Sequence, residues 1–298
     1  MGQIINGVII IDKPVDMTSH DVVAIMRRKL KTKKIGHTGT LDPMATGVLP
    51  ICIGKATKIV DFLMDQKKTY QCTMNFGSAT DTQDRWGEVT MTGDCSGLND
   101  DEIIDAILSF VGEIHQIPPM YSALKVNGEK LVDLARKGII VEREARIRTI
   151  HSIENIVVRQ HTASFSVTCS KGTYIRTLCH DIGLKLGCYG HMTELRRTAS
   201  DPFSIENAVI LEDLTLENLG NHIITIEKAL DWMPIIVLPA NSELLKQVQN
   251  GVRIKLDQYV KEPLDAKDTF YRVFIEDQFY GLAEKVENGI YIKKLMIG

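Results

Sequence analysis

The chain has 298 residues, of which 44% are hydrophobic, and a net charge of −3. This length exceeds that of one average domain, so we expect two hydrophobic cores. No apolar run approaches the roughly 20 residues that span a bilayer, and the opening residues lack the basic start of a signal peptide, so we expect a cytoplasmic protein.

The six cysteines form no CxxC pair and no close Cys/His cluster. Most of them lie in apolar stretches typical of strands or helices. This setting favours reduced packing residues over metal ligands, and we therefore expect no bound metal.

The first predicted elements are a strand and a helix. Residues 7–11 form an apolar run that is closed by Lys13 and Pro14, and Thr18 with Asp21 supplies the capping-box signal that begins a helix. The apolar positions of this helix are Val22, Val23, Met26 and Leu30.

A basic run follows this helix. Residues 1–60 hold nine Lys and Arg against four Asp and Glu, whereas residues 201–234 hold seven acids against one Lys. Such a run is typical of a solvated helix C-terminus, where cations interact favourably with the helix dipole. Beside a candidate active site it is also a candidate phosphate contact. Its cations are Arg27, Arg28, Lys29, Lys31, Lys33 and Lys34.

The loop GHTGTLDPMATGVLP, residues 36–50, surrounds one carboxylate, Asp42. Gly36, Gly39 and Gly47 allow backbone angles that other residues avoid, and Pro43 fixes its own φ and restricts Asp42. A surface turn uses the same residue types. The length of this assembly, however, favours a loop that immobilises a catalytic side chain.

The next elements alternate between helix and strand. A helix is expected after the apolar strand 48–53, and an alternating strand over 69–76 carries Tyr70. The loop 77–87 is rich in Gly, Thr and Asp but lacks the bidentate Glu of a calcium loop. We interpret it as a structured turn.

A capped helix and a basic flap follow. Asn99 and Glu102 predict a helix that runs through Val111 with its apolar side chains inward. Residues 120–149 are rich in Lys and Arg and contain a short helix that ends at Gly138, which suits a basic flap over a ligand.

The segment SKGTYIRTLCHDIG, residues 170–183, predicts a helix that begins at a turn. Tyr174 and Arg176 lie near its first turn and are expected to face away from the buried positions. An exposed Arg there is usually a surface cation. In this chain it is a candidate partner for a carboxylate.

The C-terminal part has a different character. A helix over 242–250 precedes β-rich runs at 252–260, 269–276, 279–286 and 290–296, which suggest a small barrel-like module. Upstream, strands are joined both by helices and by short turns, which favours a mixed sheet. The absence of heptads predicts a monomer.

Taken in order, eight motifs resemble the TruB family of bacterial tRNA pseudouridine synthases. The resemblance implies an α+β fold with a mixed, largely antiparallel sheet flanked by helices, and no cofactor. It also implies a catalytic domain over 1–234 with a thumb insertion near 120–149, and a PUA-like RNA-binding module over 235–298. The motifs are Lys13-Pro14, GHTGTLDPMATGVLP, Lys68-Thr69-Tyr70, G-x-x-T-x-T-x-D-x-x-G at 77–87, PPMYSALKVNG at 118–128, LARKG at 134–138, SKGTYIRTL at 170–178 and LRRT at 195–198.

The resemblance implies that Asp42 converts a uridine of the TΨC loop of tRNA to pseudouridine. The N1–C1′ bond breaks, the base turns over, and C5 bonds to C1′. The carboxylate attacks C1′, adds at C6, or takes the 2′ proton, and the sequence does not choose among these routes. Each requires an ionised and positioned carboxylate. By resemblance Arg176 pairs with Asp42 and keeps its pKa low.

The resemblance also assigns the surroundings of the carboxylate. Tyr70 would stack on the uracil and is a candidate for proton removal from C5, with Tyr174 and Leu195 completing the pocket. His37 would help displace the uridine from its stack. Lys13 and Pro14 support the pocket.

Purely structural interpretations stay open for three of these residues. Tyr70 is equally typical of a core aromatic, His37 of a capped loop histidine and Leu195 of simple packing. The chain also departs from the family pattern at Asp201, where a glycine is usual, and at Val132, where an aromatic is usual. These departures concern turn geometry and thumb packing rather than the chemistry.

Two other functions compete with the isomerase. A non-catalytic RNA chaperone would explain the basic segments and the C-terminal module but not the rigid loop around Asp42. A glycoside hydrolase needs two carboxylates that flank one bond, and no second acid lies in a comparable motif. The isomerase therefore ranks first.

Overall fold

The computed structural model describes residues 5–256, 259, 269–287 and 289–296. Their strands are β1 (Gly7–Lys13), β2 (Ile35–His37), β3 (Thr46–Ile53), β4 (Lys68–Phe76), β5 (Ser78–Thr80), β6 (Val89–Thr92), β7 (Gly112–Gln116), β8 (Lys125–Val126), β9 (Glu129–Lys130), β10 (Arg146–Arg159), β11 (Thr162–Cys169), β12 (Gly190–Ser200), β13 (Phe203–Ser204), β14 (Val209–Ile210), β15 (Ile235–Leu238), β16 (Phe270–Ile275), β17 (Gln278–Val286) and β18 (Gly289–Leu295).

The helices lie between these strands. They are α1 (Ser19–Leu30), α2 (Val60–Met64), α3 (Asp100–Leu108), α4 (Leu131–Arg136), α5 (Ile175–Lys185), α6 (Leu219–His222) and α7 (Ser242–Gln249), with 3-10 turns at Gly54–Ile59, Ile205–Asn207 and Lys228–Leu230. None of the helices in the described ranges is long and apolar enough to cross a membrane.

A mixed sheet of ten strands forms the large part of the molecule, in the order β14-β1-β3-β12-β4-β11-β10-β7, with β2 beside β3 and β13 beside β12. The pairs β1–β14 and β3–β12 are parallel, and the others are antiparallel. A second sheet, β15-β16-β17-β18, lies at the C-terminal end. The predicted mixed fold with flanking helices and a C-terminal β module is confirmed.

Local sequence signals explain two of the helices. In α1 the Thr18 side chain accepts from the Asp21 N–H, and Asn99 and Glu102 cap α3 in the same reciprocal way. Both predicted capping boxes are therefore confirmed. The predicted extension of α3 to Val111 was wrong, because the helix ends at Leu108, which is 42% exposed.

The predicted flap boundaries need correction at one end. The segment contains the β8–β9 hairpin and α4, and Gly138 has the positive φ of +72° expected after a helix. Residues 146–149, however, belong to β10, which pairs with β7 in the large sheet. Long-range strand pairing thus determines where the flap ends.

The two departures from the family pattern lie in well-bonded backbone. Asp201 follows β12 in the turn to β13, and its N–H donates to the Lys67 carbonyl at 3.0 Å. Val132 lies in the first turn of α4, and its N–H donates to the Ser122 carbonyl at 3.1 Å. Both positions therefore keep their backbone hydrogen bonds.

Three hydrophobic cores hold these elements together. The first lies between one face of the large sheet and helices α1, α3 and α5. The second lies on the opposite face and includes Leu282 and Met296 from the C-terminal part, and the third fills the C-terminal module itself. The predicted strand over 252–260 falls partly outside the described residues, and within them Ile254 forms an isolated bridge to Ile290.

The parallel contact between β3 and β12 depends on a glycine. Gly47 has φ of +101°, and a Cβ built there would lie 2.2 Å from the Arg197 carbonyl oxygen. We expect Gly47→Ala to lower the free energy of unfolding by at least about 1–3 kcal/mol, because both the strained φ and the clash oppose the native state. Denaturant unfolding of the full chain measures this change.

Gly97→Ala is the matched control. Nothing lies within 4 Å of a Cβ at Gly97, and its φ lies outside the left-handed region that disfavours alanine. This variant should stay within about 0.5 kcal/mol of the wild type. Equal unfolding midpoints for the two variants would contradict the conclusion that the β3–β12 contact depends on a glycine at position 47.

Candidate active site

The Asp42 loop connects β2 to β3 and is held by buried hydrogen bonds. Ser19 at the start of α1 accepts from the Leu41 N–H at 2.8 Å and donates to the Leu41 carbonyl at 3.2 Å. The Asp42 carbonyl accepts from the Ala45 N–H at 3.0 Å. The Asp42 side chain remains 34% exposed, so the loop presents a fixed but reachable carboxylate.

Lys13 lies beneath this loop and is fully buried. Its Nζ donates to the carbonyls of Pro14 at 2.8 Å, Met17 at 2.6 Å and Pro43 at 3.3 Å. Burial lowers the pKa of Lys13 to about 8, although the Asp42 charge partly opposes this shift. These contacts are those of a side chain that ties the loop to the preceding turn, which agrees with the predicted supporting position.

Arg176 lies in the first turn of α5 and faces the Asp42 loop. Its Nη2 lies 3.5 Å from Asp42 Oδ2, and its Nη1 lies 3.8 Å from Asp84 Oδ2. Nη2 also donates to the Tyr121 carbonyl at 2.5 Å. The expectation of an exposed arginine was wrong, because these partners cover the guanidinium and leave Arg176 only 5% exposed.

Asp84 is a site residue that the sequence reasoning missed. It lies in the loop 77–87 that was interpreted only as a structured turn, and it is 6% exposed. Its Oδ1 accepts from Thr82 Oγ1 at 2.8 Å and from the Trp86 N–H at 3.0 Å, which leaves Oδ2 toward Arg176. The Gly, Thr and Asp pattern of this loop was a signal for a buried carboxylate.

The pKa of Asp42 differs from the prediction. Burial raises the pKa of this carboxyl above its ordinary value, and the Asp84 charge raises it further. Arg176 and Lys13 lower it but only partly offset these effects. The prediction of a low pKa concerned a site closed by a bound base; in the protein alone Arg176 acts in the predicted direction, but burial and the Asp84 charge outweigh it.

Tyr70 lies on β4 and belongs to the first hydrophobic core. It is 8% exposed, and burial raises the pKa of its phenol, with a small further contribution from the Asp42 charge. The phenol is therefore protonated near neutral pH.

Tyr174 caps α5 beside Arg176. The Tyr174 ring centroid lies 5.8 Å from Arg176 Cζ, which is a cation–π distance. Gln116 fixes the Tyr174 backbone by accepting from its N–H at 2.7 Å and donating to its carbonyl at 2.9 Å. Leu195 lies on β12 opposite Cys72 of β4 and is 9% exposed.

His37 ends β2 at the edge of the same loop. Its Nδ1 accepts from the Gly39 N–H at 3.3 Å, and its ring meets the His20 ring edge-on with centroids 5.3 Å apart. Burial lowers the pKa of His37 to about 4, so the ring is neutral at physiological pH. The ring can contact a ligand without carrying charge.

A cleft of about 670 Å³ opens where β3 and β12 diverge. These strands pair only at Thr46 and Gly47 with Arg196 and Arg197, so their ends separate. Below, we call this opening the β3–β12 cleft. Its lining runs across the sheet from Val15, Met44 and Thr46 to Leu195 and Arg196 of β12, Gln71 and Thr73 of β4, and Ser164 and Ser166 of β11, and it also includes Arg85.

The basic run divides into structural and exposed cations. Arg27 Nη2 donates to the Ile35 carbonyl at 2.9 Å, and Lys29 Nζ donates to the Leu214 carbonyl. These two side chains stabilise the N-terminal elements. Lys29 is half-buried, whereas Arg27 is exposed despite its hydrogen bond, as are Arg28, Lys31, Lys33 and Lys34.

Comparisons with known proteins agree with this arrangement. Residues 27–175 match the model of the TruB family pseudouridylate synthase N-terminal domain, and residues 176–242 match the tRNA pseudouridylate synthase B C-terminal domain. The proteins named tRNA pseudouridine synthase B from Clostridium tetani and Clostridium perfringens are each 50% identical to this chain. The matches cover 98% of this chain and 100% and 99% of those proteins, respectively.

A solved structure shows the same fold. The matched chain in the crystal structure of a Cbf5-Nop10-Gar1 complex is 30% identical, with a TM-score of 0.75, over 98% of this chain and 85% of that one. Fold and site therefore define a pseudouridine synthase, an isomerase that converts uridine to pseudouridine. Within that class, the chain belongs to the TruB family.

The shared arginine generates a pH prediction. If an ionised Asp42 is the reactive form, activity should fall as the pH drops through a pKa that is raised above that of an ordinary aspartate. Asp84→Asn removes the neighbouring negative charge, which lowers the pKa of Asp42 and moves the acid limb of the pH–rate profile to lower pH.

Asp81→Asn is the matched control on the same loop. Asp81 lies three positions before Asp84, and its Oδ1 accepts from the Glu88 N–H at 2.9 Å. Its charge is not among those that shift the pKa of Asp42. Its acid limb should coincide with that of the wild type. A limb that stays in place for Asp84→Asn would refute the coupling between the two carboxylates.

Proposed function

We propose that this chain isomerises uridine-55 in the TΨC loop of tRNA, with Asp42 as the catalytic carboxylate. The substrate class follows from family membership and from relatives named tRNA pseudouridine synthase B. One observation carries the assignment of Asp42. Its carboxylate lies on a loop fixed by buried hydrogen bonds, pairs with a buried arginine and still reaches solvent.

The reaction needs one carboxylate and no net redox change. The N1–C1′ bond breaks, the uracil turns over, and C5 bonds to C1′, after which the C5 proton leaves and N1 gains a proton. Attack at C1′, addition at C6 and removal of the 2′ proton are three routes by which Asp42 would begin this sequence. In each route the fixed loop lowers the entropic cost of aligning the carboxylate.

Arg176 is proposed to keep Asp42 ionised and oriented. A buried guanidinium stabilises the charged form of a neighbouring carboxyl, and here it offsets part of the cost of burial. When a bound base excludes the remaining water, this attraction strengthens because the local dielectric falls. Arg176 thus acts most strongly in the substrate complex.

The surrounding side chains are proposed to hold an extruded nucleotide. A base inside a stack is out of reach of Asp42, so the uridine must leave the loop at a cost of a few kcal/mol. Tyr70 would stack on the uracil, with Tyr174 and Leu195 at its edges, and the neutral His37 would occupy part of the vacated space. Apolar and aromatic contacts of this kind replace the lost stacking.

We also propose a division of labour along the chain, with catalysis in residues 1–234 and RNA binding in a PUA-like module over 235–298. The separate core of the C-terminal sheet supports this division. The C-terminal family match ends near this division, at residue 242, although it begins at residue 176.

Replacing the carboxylate tests the proposal directly. Asp42→Asn should abolish pseudouridine formation on a T-arm stem-loop, because an amide is not a nucleophile or base in any of the three routes. Carbodiimide-blocked primer extension reads the product as a stop at the target uridine. Asp16→Asn, an exposed neighbour whose φ of 63° suits Asn, should keep full activity.

Two outcomes would overturn parts of this proposal. A stop produced by Asp42→Asn at the wild-type rate would remove the carboxylate from the chemistry. No stop with the wild type, while a positive-control enzyme gives one on the same RNA, would remove the assigned substrate.

The exposed cations generate a salt prediction. If Lys31, Lys33 and Lys34 contact phosphates, replacing all three by Ala should reduce the slope of log affinity against log salt by about 2, because fewer counterions are released. The turnover rate at saturating RNA should not change, since none of the three lies at Asp42. An unchanged slope in filter-binding assays would place the basic run outside the interface.

A further inference from the structure

The turn between β5 and β6 presents two side chains that the proposed chemistry does not use, Arg85 and Trp86. Trp86 is 50% exposed although it is a large aromatic. Arg85 is exposed and contributes to the wall of the β3–β12 cleft. Both residues follow Asp84 directly, so they lie beside the carboxylate that shares Arg176.

This turn is rigid. The Trp86 N–H donates to Asp84 Oδ1 at 3.0 Å, and the Gly87 N–H donates to the Asp84 carbonyl at 3.2 Å. Thr177 of α5 donates to Gln83 Oε1 at 2.7 Å, which ties the turn to the helix that carries Arg176. The backbone that carries the exposed indole is therefore held in place relative to α5.

An exposed aromatic next to a cation favours nucleic acid as the partner of Trp86. Unpaired RNA binds where an aromatic ring can stack on a base and a guanidinium can contact a phosphate. The charges of the turn are mixed, because Asp81, Asp84 and Glu88 also lie in it. Asp81 accepts from the Glu88 N–H and from Tyr121 Oη at 3.3 Å, which fixes its orientation and leaves its negative charge in place. The phosphate contact is therefore assigned to Arg85, which lines the β3–β12 cleft.

Extrusion of one nucleotide creates a need for such a surface. When the target uridine leaves its stack, the adjacent loop nucleotides lose a stacking partner, and this loss adds to the cost of extrusion. A fixed indole near the site can replace that partner. Every base has a stacking face, so this contact does not require a particular base.

We propose that Trp86 stacks on an unpaired loop nucleotide next to the target uridine and that Arg85 contacts its phosphate. The inference rests on the proposed RNA substrate and names a positioning contact outside the reacting atoms. Because the contact forms on binding and is kept through the reaction, it stabilises the RNA complex and leaves the chemical step unchanged.

Fluorescence provides a direct test, since the chain has two tryptophans, Trp86 and Trp232. Trp232→Phe leaves Trp86 as the sole indole in a full-length enzyme. We expect a T-arm stem-loop to quench this protein in a saturable titration, because a stacked base quenches indole emission. An unquenched Trp86 in an enzyme that modifies the same stem-loop would overturn the inference while leaving the proposed function intact.

Kinetics provide the second test. Trp86→Ala should raise KM and weaken stem-loop binding by about 5- to 100-fold with little change in kcat, whereas Trp86→Phe should recover most of the loss because it can still stack. Trp232→Ala, an equally exposed tryptophan elsewhere, is the matched control.

The outcomes distinguish a disrupted turn, a failure of this inference and a failure of the proposed function. Wild-type kcat in Trp86→Ala shows that the Asp84 turn has kept its structure. Wild-type KM and binding in that variant would overturn the inference and leave the exposed indole for a protein partner. A wild-type enzyme inactive on the stem-loop would instead be a failure of the proposed function.

Discussion

The interaction on which the site depends is the buried guanidinium of Arg176 between two carboxylates. A buried arginine cannot lose its proton, so it is tolerated only where charge partners and hydrogen-bond acceptors surround it. Asp42, Asp84 and the Tyr121 carbonyl provide these partners from three separate segments. The loop of Asp42, the turn of Asp84 and the start of the flap at Tyr121 are thereby fixed relative to the first turn of α5.

The same arrangement leaves the Asp42 carboxylate partly accessible and partly stabilised in its ionised form. A fully buried aspartate would be protonated, and a fully exposed one would be solvated and mobile. Asp42 lies between these limits, since Arg176 and Lys13 oppose the rise in pKa caused by burial and by Asp84. The parallel pairing of β3 and β12 over only two residues opens the cleft beside it.

Local signals in the sequence predicted much of the fold. The capping boxes of α1 and α3, the rigid Asp42 loop and the short C-terminal strands depend on neighbouring residues, and each is visible in a short window. The family resemblance further brought Asp42, Tyr70 and Arg176 into one hypothesis, and the structure pairs Arg176 with Asp42.

Features that depend on distant segments were missed. The burial of Arg176 results from partners more than 50 positions away, so the helix pattern alone indicated a surface cation. Asp84 was read as a turn residue because its Thr82 and Trp86 bonds are local, whereas its ion pair is not. The direction of the Asp42 pKa shift depends both on the buried Arg176 and on the charge of Asp84. No short window of the sequence contains these residues together with Asp42.

The most direct test of the account is a crystal structure of the Asp42→Asn variant bound to a T-arm stem-loop. We expect the target uridine to lie outside the loop stack, with its uracil on Tyr70. The side chain at position 42 should lie within about 3–3.5 Å of C1′ or C6, the distance of a reactive contact. A uridine that stays stacked in the loop, or a position-42 side chain directed away from the sugar–base junction, would contradict the account.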